Sequence, residues 1–538
     1  MKRRLRHAGL LCAAALLAAG LAYVLLERTP DLADAASAGR LPHIRPDYSD
    51  TVLPPNIAPT NFRVEESGRS YAVVVQSEKG RAVRVFSKSR DIRIPQKPWR
   101  DLLQANRGGQ IVLNVFVQGG DGHWQRFEPI TNTVAAEDID PYLVYRLIDS
   151  AYNFYFRVGL YERDLRDYGE SVVLRSESMG DGCMNCHTFL GNSSDRMVLH
   201  IREGPSRYGS GMLLIERGSV RKVDTRTKLS PGLAGFTAWH PSGRLVVFSL
   251  NNIRQFFHAA RAETRDVVDM GSDLAVYALA THTVTSTSAI SAPGRLETWP
   301  TWSPDGRYLY FCSAPLLWTD RDKVPPERYR DVRYDLMRIS YDISNNTWGS
   351  LETVLSAAKT ALSITQPRVS PDGRFLVFCM SEYSTFPSFQ PRSDLYLLDL
   401  RNGRYARLGC NSDRSESWHS WSSNSRWLVF SSKRDDGQSI RAYFTYIDAD
   451  GMARKPFVLP QEDPAFYDSF VDLCQLPELV RERMPMRGEA IAEVIRSGAW
   501  EKTGLPVTAA SPRAVPREAA PPGAAPLGST GEPWQTHR

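Results

Sequence analysis

Thr301-Trp302-Ser303-Pro304-Asp305-Gly306-Arg307-Tyr308-Leu309-Tyr310-Phe311-Cys312 reads as a strand end, a tight turn and a second strand. Proline sets φ at the first corner and glycine supplies the positive φ that the turn needs. The same pattern stands at Ala238-Trp239-His240-Pro241-Ser242-Gly243-Arg244-Leu245-Val246-Val247-Phe248-Ser249 and at Arg368-Val369-Ser370-Pro371-Asp372-Gly373-Arg374-Phe375-Leu376-Val377-Phe378-Cys379. A fourth copy, Ser420-Trp421-Ser422-Ser423-Asn424-Ser425-Arg426-Trp427-Leu428-Val429-Phe430-Ser431, has serines where Pro and Gly are expected. The copies recur every 50 to 70 residues or so. Second strands such as Asp394-Leu395-Tyr396-Leu397-Leu398-Asp399 follow. Four-stranded units at this period predict a mainly β chain built on a β-propeller of about six blades. Met197-Val198-Leu199-His200-Ile201 and Met212-Leu213-Leu214-Ile215 supply an early blade.

Just before this repeat stands Cys183-Met184-Asn185-Cys186-His187. C-x-x-C-H is the attachment signature of a c-type haem. The two thiols add to the vinyl groups and the imidazole serves as proximal iron ligand. Gly180-Asp181-Gly182 before it and Gly191-Asn192-Ser193 after it read as loop. A zinc site would need further ligands, and no second C-x-x-C exists. A thioredoxin-like pair would open a helix. The expected cofactor is therefore one covalent haem c on Cys183, Cys186 and His187. Candidate distal ligands are His200 first, Met212 second and His258 further off; an open iron is the alternative.

Covalent haem implies export. Lys2, Arg3, Arg4 and Arg6 precede an apolar run from Ala8 to Leu26, roughly the length that spans a bilayer. The segment reads as a retained anchor over 1–26, with a cleaved signal peptide as the alternative. The bulk of the chain is then expected in the periplasm, single-pass on the inner membrane or soluble after cleavage. The net charge of +6 is mild and interspersed, which gives no case for nucleic acid.

The remaining segments divide by composition. Residues 27–60 look like a linker. Alternating runs over 61–133 predict a small β-sandwich. Over 134–190, Asp140-Pro141 suits a helix start ahead of Tyr142–Ile148, followed by the haem motif. The propeller is expected over 191–465, a helical segment packing on it over 466–502, and a disordered Pro/Ala/Gly tail over 503–538. Cys312 and Cys379 sit in matching strand positions and read as core residues, although the periplasm would permit a disulfide. Asp435-Asp436-Gly437 and Asp448-Ala449-Asp450-Gly451 read as turns rather than calcium sites. No G-x-S-x-G, H-E-x-x-H or P-loop is present.

The four turns resemble the repeats of TolB-type propellers over roughly residues 190–465. The layout is also similar to a bacterial group of TolB-like proteins with one c-type haem motif ahead of the propeller. Pro54-Pro55-Asn56-Ile57-Ala58-Pro59, Trp418-His419-Ser420-Trp421 and Pro460-Gln461-Glu462-Asp463-Pro464 carry that likeness. It implies a periplasmic protein and no catalytic residues. Three functions compete. One is electron transfer with a protein partner docked on a propeller face. The second is an envelope scaffold whose haem is structural or sensory. The third is a haem enzyme such as a peroxidase.

Overall fold

The computed structural model describes residues 31–149, 157–258, 263, 265–320 and 322–505. The anchor expected over 1–26 and nearly all of the expected tail lie outside them. Among the described residues no helix is long and apolar enough to cross a membrane.

Six mainly antiparallel sheets follow one another from residue 142 to 480, the one that begins at Cys183–Leu190 gaining Glu501–Lys502 as a parallel outer strand. Five run as simple meanders whose first strands are Cys183–Leu190, Ala234–Trp239, Arg295–Trp302, Ser363–Val369 and Glu416–Trp421. The sixth is composite. Tyr142–Ile148, Gly159–Asp164 and Glu170–Arg175 are completed by Leu473–Val480 from far along the chain. Leu473–Val480 packs against Glu416–Trp421 on one side and Cys183–Leu190 on the other. The first strands of successive meanders pack together in the same way. The inner strands thus close a ring around a central channel, which is a β-propeller. Closure by a late strand completes the ring, and the free edge of each inner strand lies toward the channel, shielded by its neighbours.

Several expectations change. Tyr142–Ile148 is a strand, not a helix, because it fills the middle of the composite sheet. With both faces covered, its apolar alternation is blurred and imitates a helical face. Asp140 caps no helix; its carboxylate accepts from Ser423 N at 2.7 Å and Ser423 Oγ at 2.6 Å. That bond braces the one turn lacking Pro and Gly, where Ser425 takes φ +61°. The propeller therefore begins near residue 142 rather than 191. In the segment expected to be helical over 466–502, Leu473–Val480 is a strand and only Glu489–Arg496 is a regular α-helix. Its Ile491, Ala492 and Ile495 pack with Val173 and Met484. The motif Cys183–His187 lies in a strand, not a loop.

The N-terminal domain also differs from the expected sandwich. Residues 36–53 are not a linker: Ala36–Ser37, Ile44–Arg45 and Val52–Leu53 pair into sheets, and Tyr48 and Leu53 are fully buried. A seven-stranded mixed sheet and a three-stranded sheet are joined by a helix, Gln96–Ala105. Pro98 falls in its first turn, where its missing N–H costs nothing. Trp99, Leu102 and Leu103 bury the inner face, and Trp99 Nε1 donates to Ile57 O at 3.1 Å. This domain shares one continuous core with Phe375, Trp427 and Phe444 of the propeller.

One irregularity repeats around the channel. Each inner strand loses register with its neighbour at a comparable point, and Cys183–Leu190 does so a second time at Phe189/Leu190. The breaks fall at Met184/His187, Ala234/Thr237, Thr298/Thr301, Thr365/Arg368 and Ser417/Ser420, and on Leu473–Val480 opposite Val144/Arg146. A bulge of this kind re-aims a side chain. Cys186, Phe236, Trp299, Gln366, Trp418 and Leu476 sit at these breaks and line the channel cavities. Trp299, Gln366, Trp418 and Leu476 adopt positive φ there, an uncommon conformation held by the surrounding sheets. Phe236 stacks on Trp299 with 3.5 Å between centroids, and Trp418 meets Trp299 edge-on at 5.3 Å. The aromatic members plug the channel, each burial contributing about 1.5–3 kcal/mol.

Candidate functional site

On one side of this plug lies a cavity of about 110 Å³, open at its mouth. Cys183 and Cys186 both line it. In a regular strand, residues three apart point to opposite faces. The register break between Met184 and His187 changes that parity and turns both thiols to one side. Phe236, Phe386, Phe389 and Trp418 supply flat apolar walls.

The polar part of the wall is mostly cationic. Arg146, Arg202 and Arg265 contribute guanidinium groups. Arg146 Nη1 donates to Met184 O at 3.1 Å and Nη2 to Gln475 Oε1 at 2.5 Å. Arg202 stands directly across the ladder from Cys183. Arg265 lies over the Phe389 ring, 4.8 Å from its centroid. Asp149 is the one carboxylate among the described wall residues, and Arg157 Nη1 holds it at 2.9 Å. Gln255 also lines the cavity, with neither end of its amide hydrogen-bonded among the described residues.

Burial raises both thiols, Cys186 to about 11, against the opposing pull of Arg146 and Arg202. Burial lowers His187 to about 3, with Arg146 pushing the same way, so its imidazole is neutral at pH 7. A neutral imidazole is the form that ligates metals. The ring is 1 % exposed and lies edge-on to Phe189 at 5.8 Å. Neither nitrogen has a well-formed hydrogen bond among the described residues; the Val144 backbone is the nearest partner. His187 is not part of the cavity wall.

A covalent haem is thus fitted by the thiol pair, the flat apolar walls and the neutral imidazole without a firm partner. The direction of His187 does not fit: from this strand it would have to turn toward the cavity. The structure does not bring the expected distal residues to the thiols either. His200 is buried with Nδ1 2.6 Å from Ala234 O of the next blade, because its place in the second strand faces the blade interface. Met212, opposite His200, is fully buried in that same interface. His258 lies just beyond the strand Leu245–Phe257, its Nε2 3.6 Å from Asp266 Oδ2.

Arg146, Arg202, Gln255 and Gln475 were not singled out from the sequence. The available signal is an arginine inside an apolar strand, as in Leu143-Val144-Tyr145-Arg146-Leu147-Ile148. Across the plug, a smaller cavity is lined by Gln366, Arg368, His419 and Glu478. Burial lifts Glu478 to about 7, partly offset by Arg368.

No protein-family model matches the chain, and no curated protein matches it. Among solved structures, a puromycin hydrolase aligns at 15% identity and TM-score 0.33 over 58% of this chain and 45% of that one. An oligogalacturonate lyase from Vibrio parahaemolyticus aligns at 13% identity and TM-score 0.31, over 64% of this chain and 87% of that one. A nidogen/laminin complex chain aligns at 8% identity and TM-score 0.36, over 64% of this chain and 99% of that one. The chain spans less than half the length of the puromycin hydrolase, and the propeller rests on the strand order described above.

Proposed function

We propose that this chain is an exported monohaem c-type cytochrome built on a six-bladed, TolB-type propeller, and that it exchanges electrons with a protein docked on a propeller face. The observation that carries the reading is the pair of thiols, Cys183 and Cys186, turned by a strand bulge into one aromatic-walled cavity. A bound haem would supply reversible one-electron exchange. Cys183 and Cys186 would hold it covalently, and Phe236, Phe386 and Trp418 would exclude water from its faces. His187, neutral and without a firm partner, is the proximal ligand of this reading. His200 and Met212, held in a blade interface, drop out as distal ligands. The reading keeps the chain on the outer side of the cytoplasmic membrane, tethered through residues 1–26 or released by cleavage.

A second reading is an envelope-binding propeller of TolB type. The position of His187 outside the cavity wall favours it. One experiment separates the two. The protein is produced in a host with cytochrome c maturation, and its oxidised and dithionite-reduced visible spectra are recorded beside a haem-stained denaturing gel. Covalent haem with sharp reduced α and β bands supports the cytochrome. A high-spin covalent haem turns the reading toward an enzyme with open iron. No covalent haem overturns the cytochrome and leaves the binding propeller.

A further inference from the structure

We infer that Arg202 and Arg146 form a carboxylate-binding subsite in the wall of the thiol cavity. Arg202 has no carboxylate within ion-pair distance among the described residues, and its Nε has no hydrogen-bond partner. Arg146 is 8 % exposed, and its hydrogen-bond partners among the described residues are both neutral, Met184 O and Gln475 Oε1. Burying an uncompensated guanidinium is costly, because the lost hydration is not returned by the protein. Arg202 is only partly buried, and its guanidinium and that of Arg146 repel each other along one cavity wall. An anion entering the cavity supplies the missing countercharge, and a carboxylate matches the guanidinium fork.

The rest of the wall narrows the ligand. Gln255 offers an amide free to bond, beside the aromatic rings of Phe236, Phe386 and Trp418. A flat apolar body carrying carboxylates at one edge satisfies both halves of the cavity. The two side chains of a haem have this chemistry, and so does a free aromatic carboxylate. The haem source rests on the cytochrome reading above; the carboxylate chemistry does not.

The test uses the full chain made without haem attachment. Tryptophan quenching follows titration with protoporphyrin IX and, separately, with its dimethyl ester, which masks both carboxylates. The diacid is expected to bind at least about tenfold tighter than the diester, as for a charge-assisted pair. The preference should collapse toward unity in Arg202→Gln and persist in Arg202→Lys. Equal binding of diacid and diester, or binding of neither, overturns the subsite. A preference unchanged in both Arg202→Gln and Arg146→Gln overturns the assignment to these residues. If the substituted chains fail to fold, the unsubstituted chain still decides through the diacid-to-diester ratio and its weakening by salt. Diacid preference in a chain that never acquires covalent haem keeps the subsite and removes the haem. Covalent haem without diacid preference does the reverse.

Discussion

Arg146 Nη2 donates to Gln475 Oε1 at 2.5 Å, joining strands separated by 329 positions in the chain. The bond lies in the cavity wall and crosses the seam where Leu473–Val480 closes the composite sheet. It couples closure of the ring to the shape of the site.

Gln475→Ala should cost about 1–3 kcal/mol, because it strips a buried guanidinium of a neutral acceptor. Urea unfolding of the full chain measures it. A change within error would mean that Arg146 finds another acceptor, and that the seam does not depend on this bond.

Cys183→Ala combined with Cys186→Ala should abolish haem staining on a denaturing gel while the far-UV spectrum stays that of a folded β protein. Both side chains are small, and removing a thiol leaves little cavity beyond the one already present. Retained covalent haem in the double variant would refute the attachment assignment.

Asp140→Ala should destabilise the protein by about 1–3 kcal/mol, since the carboxylate is the side-chain brace on Ser423 in the turn that lacks Pro and Gly. Limited proteolysis should show new cleavage near residues 422–426. Protection equal to the parent would show that the other bonds of this turn, from Ser422 to Asn424 and Trp427, Asn424 to Asp138 O and Asp372 N to Ser425, fix it without Asp140.

Stability should fall on acidification because of buried histidines. Burial lowers His200 to about 4 and His419 to about 3, against an ordinary 6.5. The unfolded chain therefore binds more protons below about pH 6.5, and stability drains as pH falls toward the folded values. Glu478, raised by burial from 4.5 to about 7, works in the opposite sense between those two values. The two partly cancel from pH 6.5 to 4.5, so the histidine-driven loss is steepest below about pH 4.5. Urea midpoints of the parent and of His419→Gln between pH 7 and 4 test this. The variant's curve should be flatter at the acid end; parallel curves would mean that His419 titrates alike in both states.

Trp299→Ala should cost about 3–5 kcal/mol, as for other large core truncations, by removing the ring that Phe236 stacks on and Trp418 meets edge-on. Differential scanning calorimetry reads the loss. A small change would show that Phe386 collapses into the gap.

The repeated turns were legible because their signal is local. Pro304, Gly306, Pro371 and Gly373 specify corners with fixed φ, and the apolar runs after them specify strands. The early blade from Met197 and Met212 followed for the same reason. Tyr142–Ile148 was not legible, since a strand covered on both faces loses the alternation that identifies it. The helix Gln96–Ala105 was hidden by its own Pro98, which marks a first turn as readily as a break.

The amino-acid sequence by itself determined the repeating strand–turn–strand unit and the pairing of two cysteines with a following histidine. Both depend on residues close together in the chain, where backbone preference and side-chain chemistry act without knowledge of the rest. Tertiary structure alone decided that Leu473–Val480 completes a sheet begun at Tyr142, that a bulge turns Cys183 and Cys186 to one side, and that His187 lies off the cavity they share. It also decided that Arg146 and Arg202 face that cavity. These features arise only when the ring closes, because packing between blades, rather than any local propensity, sets the register of each inner strand and the direction of its side chains.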